Sequence, residues 1–282
     1  MGNYININAA WRDGDDPTSV AIYKDSQTAV DFVTGEKYDI LGLVSLILGG
    51  KAKAEKFLKD KLVDLERTNS QPLLKSRKIL DPELITDWQT DYSYWANRRI
   101  SVETLQLFGG GVSTKGKTAQ RYVFPIYSND SQYLIGVAGR DLYVKSKQGR
   151  PKWKLIGDKS KWTYPLHLNR SIIEESKQIY LVESIGDGLA LWDAGIKNFL
   201  ITFGVELSQS IISVLIMLDP SKIYVSLNND VGMGNNEAGN KAAIKARTKL
   251  KNYFDDSQII VKLPTRKDFG EMSKEEITAW AK

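Results

Sequence analysis

The stretch IYLVESIGDGLALWD, residues Ile179–Asp193, passes from strand to helix across an acidic residue. Ile179–Val182 is an apolar, partly β-branched run of the kind that forms a buried strand. Glu183 ends it, and Ile185, Leu189 and Trp192 then recur at i, i+4 and i+7, lining one face of a helix. Gly186 and Gly188 permit a tight passage between the two. The pattern predicts Glu183 at the C-terminal edge of a sheet, where open α/β folds put their chemistry, with Asp187 at the start of the next helix.

Two further strand patterns follow. Lys222–Leu227 (KIYVSL) runs into Asn228-Asn229-Asp230, a Gly-rich loop and the helix-forming stretch Ala238–Leu250. Gln258–Leu263 (QIIVKL) runs into Pro264-Thr265-Arg266-Lys267-Asp268. Strand ends of a parallel sheet share one edge, so Glu183, Asp230 and Asp268 are expected to converge. Hard oxygen donors with no soft ligand nearby suit Mg²⁺ or Mn²⁺.

This order of acids resembles the TOPRIM domain. VESIGDGLALWDAGIKN resembles the V-E-G-x-x-D-x-x-x-L-x-x-x-G-I-x-N of bacterial and phage DNA primases. Phe203-Gly204 stands at their Leu-Gly, Ala238-Gly239-x-x-Ala242-Ala243 at their A-G-x-x-A-A, and KLPTRKDFGEM resembles their L-P-x-x-K-D-x-x-E, most closely as phage primases write it. The family has Asp-x-Asp where this chain has Asn228-Asn229-Asp230. Either Asn228 offers a neutral carbonyl to the metal, or Asp230 takes the first acid's role.

The region ahead of this domain is basic. Between Arg98 and Lys161 stand 13 Lys and Arg against four Asp and Glu, whereas the whole chain is only +5. Tyr122, Tyr143, Trp153 and Trp162 are interleaved with these cations. Cations neutralise phosphates and aromatic faces stack on single-stranded bases, although a merely solvated basic face has the same composition. YWANRRISVETLQLF (Tyr94–Phe108) resembles the primases' Y-L-x-x-R-G-I-S-x-E-x-x-x-x-F. RYVFPI (Arg121–Ile126) with LIGVAGRDL (Leu134–Leu142) resembles their R-x-x-F-P-I … I-G-F-x-G-R strand pair, and Pro151-Lys152-Trp153 their P-K-Y. The resemblance makes Arg121, Arg140, Lys152 and Lys161 the candidate phosphate contacts. Lys267 either meets a phosphate or balances Asp268.

GVSTKGKT (Gly111–Thr118) fits the P-loop pattern G-x-x-x-x-G-K-[ST] letter by letter. A P-loop follows a strand and opens a helix, so that backbone N–H groups and the helix dipole meet phosphate. Here a helix pattern precedes and a strand pattern follows. The segment therefore reads as a loop joining helix to strand.

Near the N-terminus, Val20–Tyr23 and Thr28–Val33 alternate like a hairpin, and Asp39–Leu48 and Ala52–Leu65 read as helices. D-P-T-S-V … A-V-D-F … Y-D-I-L-G-L-V resembles the primases' zinc ribbon, T-P-S-F … C-F-x-C-G … G-D-x-I-x-F-V. The chain has no cysteine and a single histidine, His167, which reads as a packed residue. Zinc needs Cys or His ligands, so the resemblance implies a metal-free ribbon derivative, with an unrelated small α+β cap as the other reading.

The expected organisation is an α/β chain. Residues 1–67 form the ribbon-like domain, 68–80 a linker, 81–170 a basic α+β subdomain, and 171–282 a TOPRIM domain with a compact parallel sheet flanked by helices. The resemblance implies a DNA primase that makes RNA primers on single-stranded DNA from ribonucleoside triphosphates. Glu183, Asp230 and Asp268 would hold Mg²⁺, with Asp187 either supporting them or merely favouring a helix dipole. A replicative helicase on a separate chain is the implied partner. Without a membrane span or leader pattern, the cytoplasm (the host's, for a phage gene) is the expected location. A TOPRIM nuclease and a non-catalytic DNA-binding or helicase-loading derivative are the other readings.

Overall fold

The computed structural model describes residues 4–14, 16–23, 26–67, 79–143, 150–230 and 238–282. The expected linker at 68–80 falls almost wholly outside these residues, as does the Gly-rich loop after Asp230. The chain divides into two compact units, Met1–Arg77 with Ile212–Asp219, and Lys78–Ile211 with Pro220–Lys282.

The smaller unit is an antiparallel meander of β1 (Tyr4–Ile7), β2 (Val20–Tyr23), β3 (Thr28–Asp31) and β4 (Lys37–Asp39), followed by α1 (Ile40–Leu48) and α2 (Lys51–Arg67). Asp39 starts α1 by accepting a hydrogen bond from the Gly42 N–H at 2.6 Å, and Gly49 stops it in a left-handed conformation. Ala9, Val20, Ala29 and Leu43 form a small core. Beside it Asp31, fully buried, takes a two-pronged ion pair from Arg12 (Nε to Oδ2 2.9 Å, a terminal guanidinium N–H to Oδ1 3.0 Å) and also accepts from the Val33 and Thr34 N–H groups. This fork ties the segment before β2 to the end of β3.

The larger unit begins with α3 (Ser93–Ala96) and α4 (Val102–Leu107). An antiparallel sheet follows in the order β5 (Gly111–Ser113), β6 (Arg121–Tyr127), β7 (Leu134–Asp141), β8 (Trp153–Gly157). The strand pair expected over RYVFPI and LIGVAGRD is β6 and β7, and both are buried almost throughout. The segment that imitates a P-loop is β5 plus the 3-10 turn Gly116–Thr118, leading into β6. It opens no helix, so it presents no helix N-terminus to a phosphate, and it contributes an edge strand where only a loop was expected.

The chain continues through α5 (Leu166–Ser176), β9 (Gln178–Val182), α6 (Ile185–Asp193), β10 (Phe199–Ile201), α7 (Gln209–Leu218), β11 (Lys222–Val225), α8 (Ala238–Leu250), β12 (Ile259–Val261) and α9 (Lys274–Ala281). The four strands form a wholly parallel sheet in the order β10-β9-β11-β12. Segments 81–170 and 171–282, read separately in the sequence, share one apolar core. Trp95, Phe108, Tyr122, Phe124, Trp162 and Tyr164 from the first meet Trp192, Phe199, Phe269 and Trp280 from the second. Among the described residues no helix is long and apolar enough to cross a membrane.

Candidate active site

The order of the parallel sheet reverses beside β9: β10 follows β9 on one side, and the chain then crosses to β11 on the other. A crevice opens outside the strand ends at such a reversal. Glu183 leaves β9 there and is half-buried. Ser184 then caps α6, its hydroxyl accepting from the Asp187 N–H at 3.4 Å, while the Asp187 carboxylate accepts from the Ser184 N–H at 3.0 Å. The other Asp187 oxygen accepts from the Phe269 N–H at 3.1 Å. Asp187 is therefore a buried clasp between α6 and the turn after Asp268. Burial, then the Asp268 charge, push its carboxyl up to about 7.

The loop after β11 is fixed from two sides. The Asn229 N–H donates to the Lys267 carbonyl at 2.8 Å and its side-chain amide to the Pro264 carbonyl at 3.0 Å. Asp230 accepts from the Gly239 N–H at 2.9 Å, and its own N–H donates to Asn240 Oδ1 at 2.9 Å. Gly239 is obligatory, because a Cβ there would stand 2.2 Å from the Asn228 carbonyl oxygen. Asp230 thus faces the start of α8, and Asn228, not Asp230, lines the crevice with Glu183 and Asp268. The expected convergence of three acids is met by two carboxylates and an amide. Asp230 still acts at short range: burial first, then the Asp230 charge, raise the Glu183 carboxyl above its usual range. Asp268 caps the 3-10 turn Phe269–Glu271, accepting from the Glu271 N–H at 3.0 Å.

Two adjoining cavities, of about 210 and 240 Å³, share Lys152, Trp153, Ser184 and Asp268. The first adds Glu183, Asn228 and Phe203, and the second adds Arg98, Arg140, Asp187 and Glu271. Arg140 is oriented by Tyr94, whose hydroxyl accepts from its Nε at 2.7 Å, and its guanidinium lies 5.6 Å from the Trp153 ring. The protein around the Lys152 ammonium, then the Arg140 charge, lower the lysine's pKa, while Asp268 opposes the shift. Cations and acids thus face one crevice.

Three of the expected cations behave differently. Arg121 is 2% exposed and donates to the Gly139 carbonyl at 3.2 Å, beside the ion pair of Arg150 with Asp141. It is a structural cation inside the antiparallel sheet and is not open to a phosphate. Lys161 is exposed on the 3-10 turn Lys159–Lys161 and lines neither cavity. Lys267 lines neither cavity, and its backbone carbonyl serves the Asn229 loop. Lys159, which the sequence reading missed, donates to the Phe203 carbonyl at 3.2 Å at the crevice edge. Two lysines two positions apart gave no signal as to which would point inward.

Among the described residues no three acidic or histidine side chains are grouped closely enough to hold a metal by themselves. The donor set nonetheless suits Mg²⁺, which is commonly held by one or two carboxylates, with the substrate's phosphates and water completing its shell. Glu183, Asp268 and Asn228 are the lining residues whose side chains carry carboxylate or amide oxygens.

Comparisons with known proteins bear on the fold. Residues 180–273 match the Toprim-like family model. A DNA primase of Helicobacter pylori is 36% identical over 132 residues, 46% of this chain, and the match spans 22% of that primase's length. The zinc-binding and RNA polymerase domains of the Aquifex aeolicus primase superpose with a TM-score of 0.58 at 19% identity, over 99% of this chain and 78% of that one. A DnaG primase catalytic domain bound to single-stranded DNA gives 0.56 at 19% identity, over 71% of this chain and 75% of that one. Residues 180–273 thus carry a Toprim-like domain, and the fold resembles those of the DnaG primase catalytic cores.

Proposed function

We propose that the protein is a DNA primase, joining ribonucleotides into short RNA primers on single-stranded DNA. The observation that carries this reading is the crevice in which Glu183, Asp268 and Asn228 face Lys152 and Arg140. Phosphoryl transfer needs little covalent help from a protein, and positioning and charge stabilisation supply the rate. Lys152 and Arg140 would neutralise the incoming triphosphate. Glu183 would help to activate the attacking 3′-hydroxyl as the new P–O bond forms and pyrophosphate leaves. Glu183, Asp268 and Asn228 would hold Mg²⁺, whose positive charge would offset the charge on the departing pyrophosphate. The N-terminal unit would be a metal-free counterpart of the zinc ribbon, with the Arg12–Asp31 fork tying the segment before β2 to the end of β3. A separate replicative helicase is the natural partner.

A non-catalytic DNA-binding derivative is the second reading, favoured by Asn228 at an acid's position and by Asp230's engagement with α8. Primer synthesis on single-stranded DNA with four ribonucleotides and Mg²⁺, beside Glu183→Gln, separates the readings. Labelled oligoribonucleotides from the wild type alone are expected. DNA binding without product, even with a helicase supplied, would establish the derivative, and template degradation would establish a nuclease.

A further inference from the structure

The helix α1 of the smaller unit is apolar on every side. Seven of its nine residues are Ile, Leu or Val, and the other two are Gly42 and Ser45. The Ser45 hydroxyl is turned onto its own helix, donating to the Leu41 carbonyl at 2.6 Å. A helix that is hydrophobic all round is normally enclosed by its protein. Of these nine residues Leu43 alone is buried, while Ile40, Leu46 and Ile47 are 44%, 38% and 49% exposed. Ile40, Val44 and Ile47 recur at i, i+4 and i+7 and form one stripe along the helix. Apolar residues scattered singly over a surface need no explanation, but a contiguous stripe marks a contact.

The two ends of the stripe carry opposite charge. At the N-terminal end stand Glu36 and the cap residue Asp39, both exposed. Lys37 between them is engaged by Asp219 at 2.5 Å. At the C-terminal end the Gly49-Gly50 turn leads at once into Lys51 and Lys53 of α2, both exposed. Lys51 meets Glu55 only at 3.9 Å and in solvent, where an ion pair contributes little. No acid lies in the first turn of α2. A helix N-terminus carries partial positive charge, so two lysines there are unfavourable within a single chain. They become favourable when an acid from outside meets them.

We propose that α1 is the contact of a homodimer, packed antiparallel against α1 of a second copy about a two-fold axis. Such an axis sets the same patch of both copies face to face. Ile40 of each copy then lies against the partner's Ile47, with Val44 at the axis, and Asp39 of each reaches the partner's Lys51 and Lys53. The patch complements itself only in this sense, because a parallel pairing would set acid on acid and lysine on lysine. Nine residues at about 1.5 Å each make a short contact, well below the size of a standard interface, so the dimer forms in the micromolar range. The proposal is independent of whether the chain makes primers.

Sedimentation velocity of the full chain across micromolar concentrations tests it. The wild type is expected to pass from the 31.7 kDa monomer to twice that mass. Ile47→Lys should weaken the dimer by about 10-fold or more, since it sets an unpaired charge in the apolar contact. An unchanged urea transition shows that the variant folds, and Ile40→Lys on the same stripe takes its place if it does not. Lys51→Glu combined with Lys53→Glu should weaken the dimer by about 5-fold at low salt, and adding Asp39→Asn, which keeps a helix cap, should recover part of that loss. A chain that stays monomeric at every concentration overturns the dimer, and the face then falls to a different protein. A dimer indifferent to Ile47→Lys, or one that the Lys51 and Lys53 reversals leave unchanged, also overturns the proposal.

Discussion

Lowering the pH should destabilise this protein through its one histidine. His167 lies in α5 between the rings of Tyr127 (5.7 Å) and Tyr164 (5.6 Å), and its Nδ1 is buried with no hydrogen-bond partner among the described residues. Burial lowers its pKa from 6.5 to about 4. A histidine whose folded pKa is depressed contributes stability that is fully present above the unfolded value and is lost as pH falls towards the folded one. Here the window runs from 6.5 down to about 4. At about 1.36 kcal/mol per pH unit the loss reaches about 3 kcal/mol, a large share of the roughly 5–15 kcal/mol that holds a typical domain folded. His167→Phe keeps an aromatic ring between the two tyrosines and removes the titration. Urea unfolding of both proteins at about pH 7 and about pH 4 isolates the effect, since every other group is common to the pair. The variant should gain about 3 kcal/mol on the wild type across that interval. A gap independent of pH would mean that His167 charges freely in the folded protein, and the burial argument would fail.

Three other perturbations follow from the site and the smaller unit. Asp187→Asn leaves one oxygen where Ser184 and Phe269 N–H groups need two, so urea unfolding should register a loss of about 1–3 kcal/mol. Gly239→Ala drives a Cβ into the Asn228 carbonyl, and displacement of that loop should cost about 1–3 kcal/mol by the same measurement and lower any primer synthesis. Asp31→Asn breaks the fork with Arg12 in a buried setting and should cost about 2 kcal/mol or more, read as faster hydrogen exchange over residues 19–39. A wild-type exchange pattern in that variant would remove the fork from the account of the smaller unit.

Much of the fold was legible because its elements obey clean periods. Ile179–Val182, RYVFPI and LIGVAGRD are runs whose apolar content leaves no solvent face, and all three are buried strands. Ala238–Leu250 forms the helix that its pattern predicts. Four short strands, β1, β4, β5 and β10, were not legible, whereas β11 and β12, equally short, lie within the longer apolar runs Lys222–Leu227 and Gln258–Leu263. The site was half legible. Glu183 and Asp268 lie where strand ends must lie, whereas the direction taken by a loop carboxylate depends on the donors that meet it. Asp230 turned to the N–H groups at the head of α8, and Arg121 turned into the sheet to a backbone carbonyl. Neither choice is written in the residue letters.

The Arg12–Asp31 fork has a consequence for how the smaller unit comes into being. A tether of two side chains is supplied by translation itself and needs no metal delivery and no thiol kept reduced. The chain holds no cysteine that an oxidant could take. Chelators and thiol oxidants, which dismantle a Cys-ligated zinc knot, find no cysteine to act on in this unit. Acid becomes its weakness, since the ion pair yields to protonation of Asp31 once the pH falls below the usual carboxylate range, whereas a buried pair is little screened by salt.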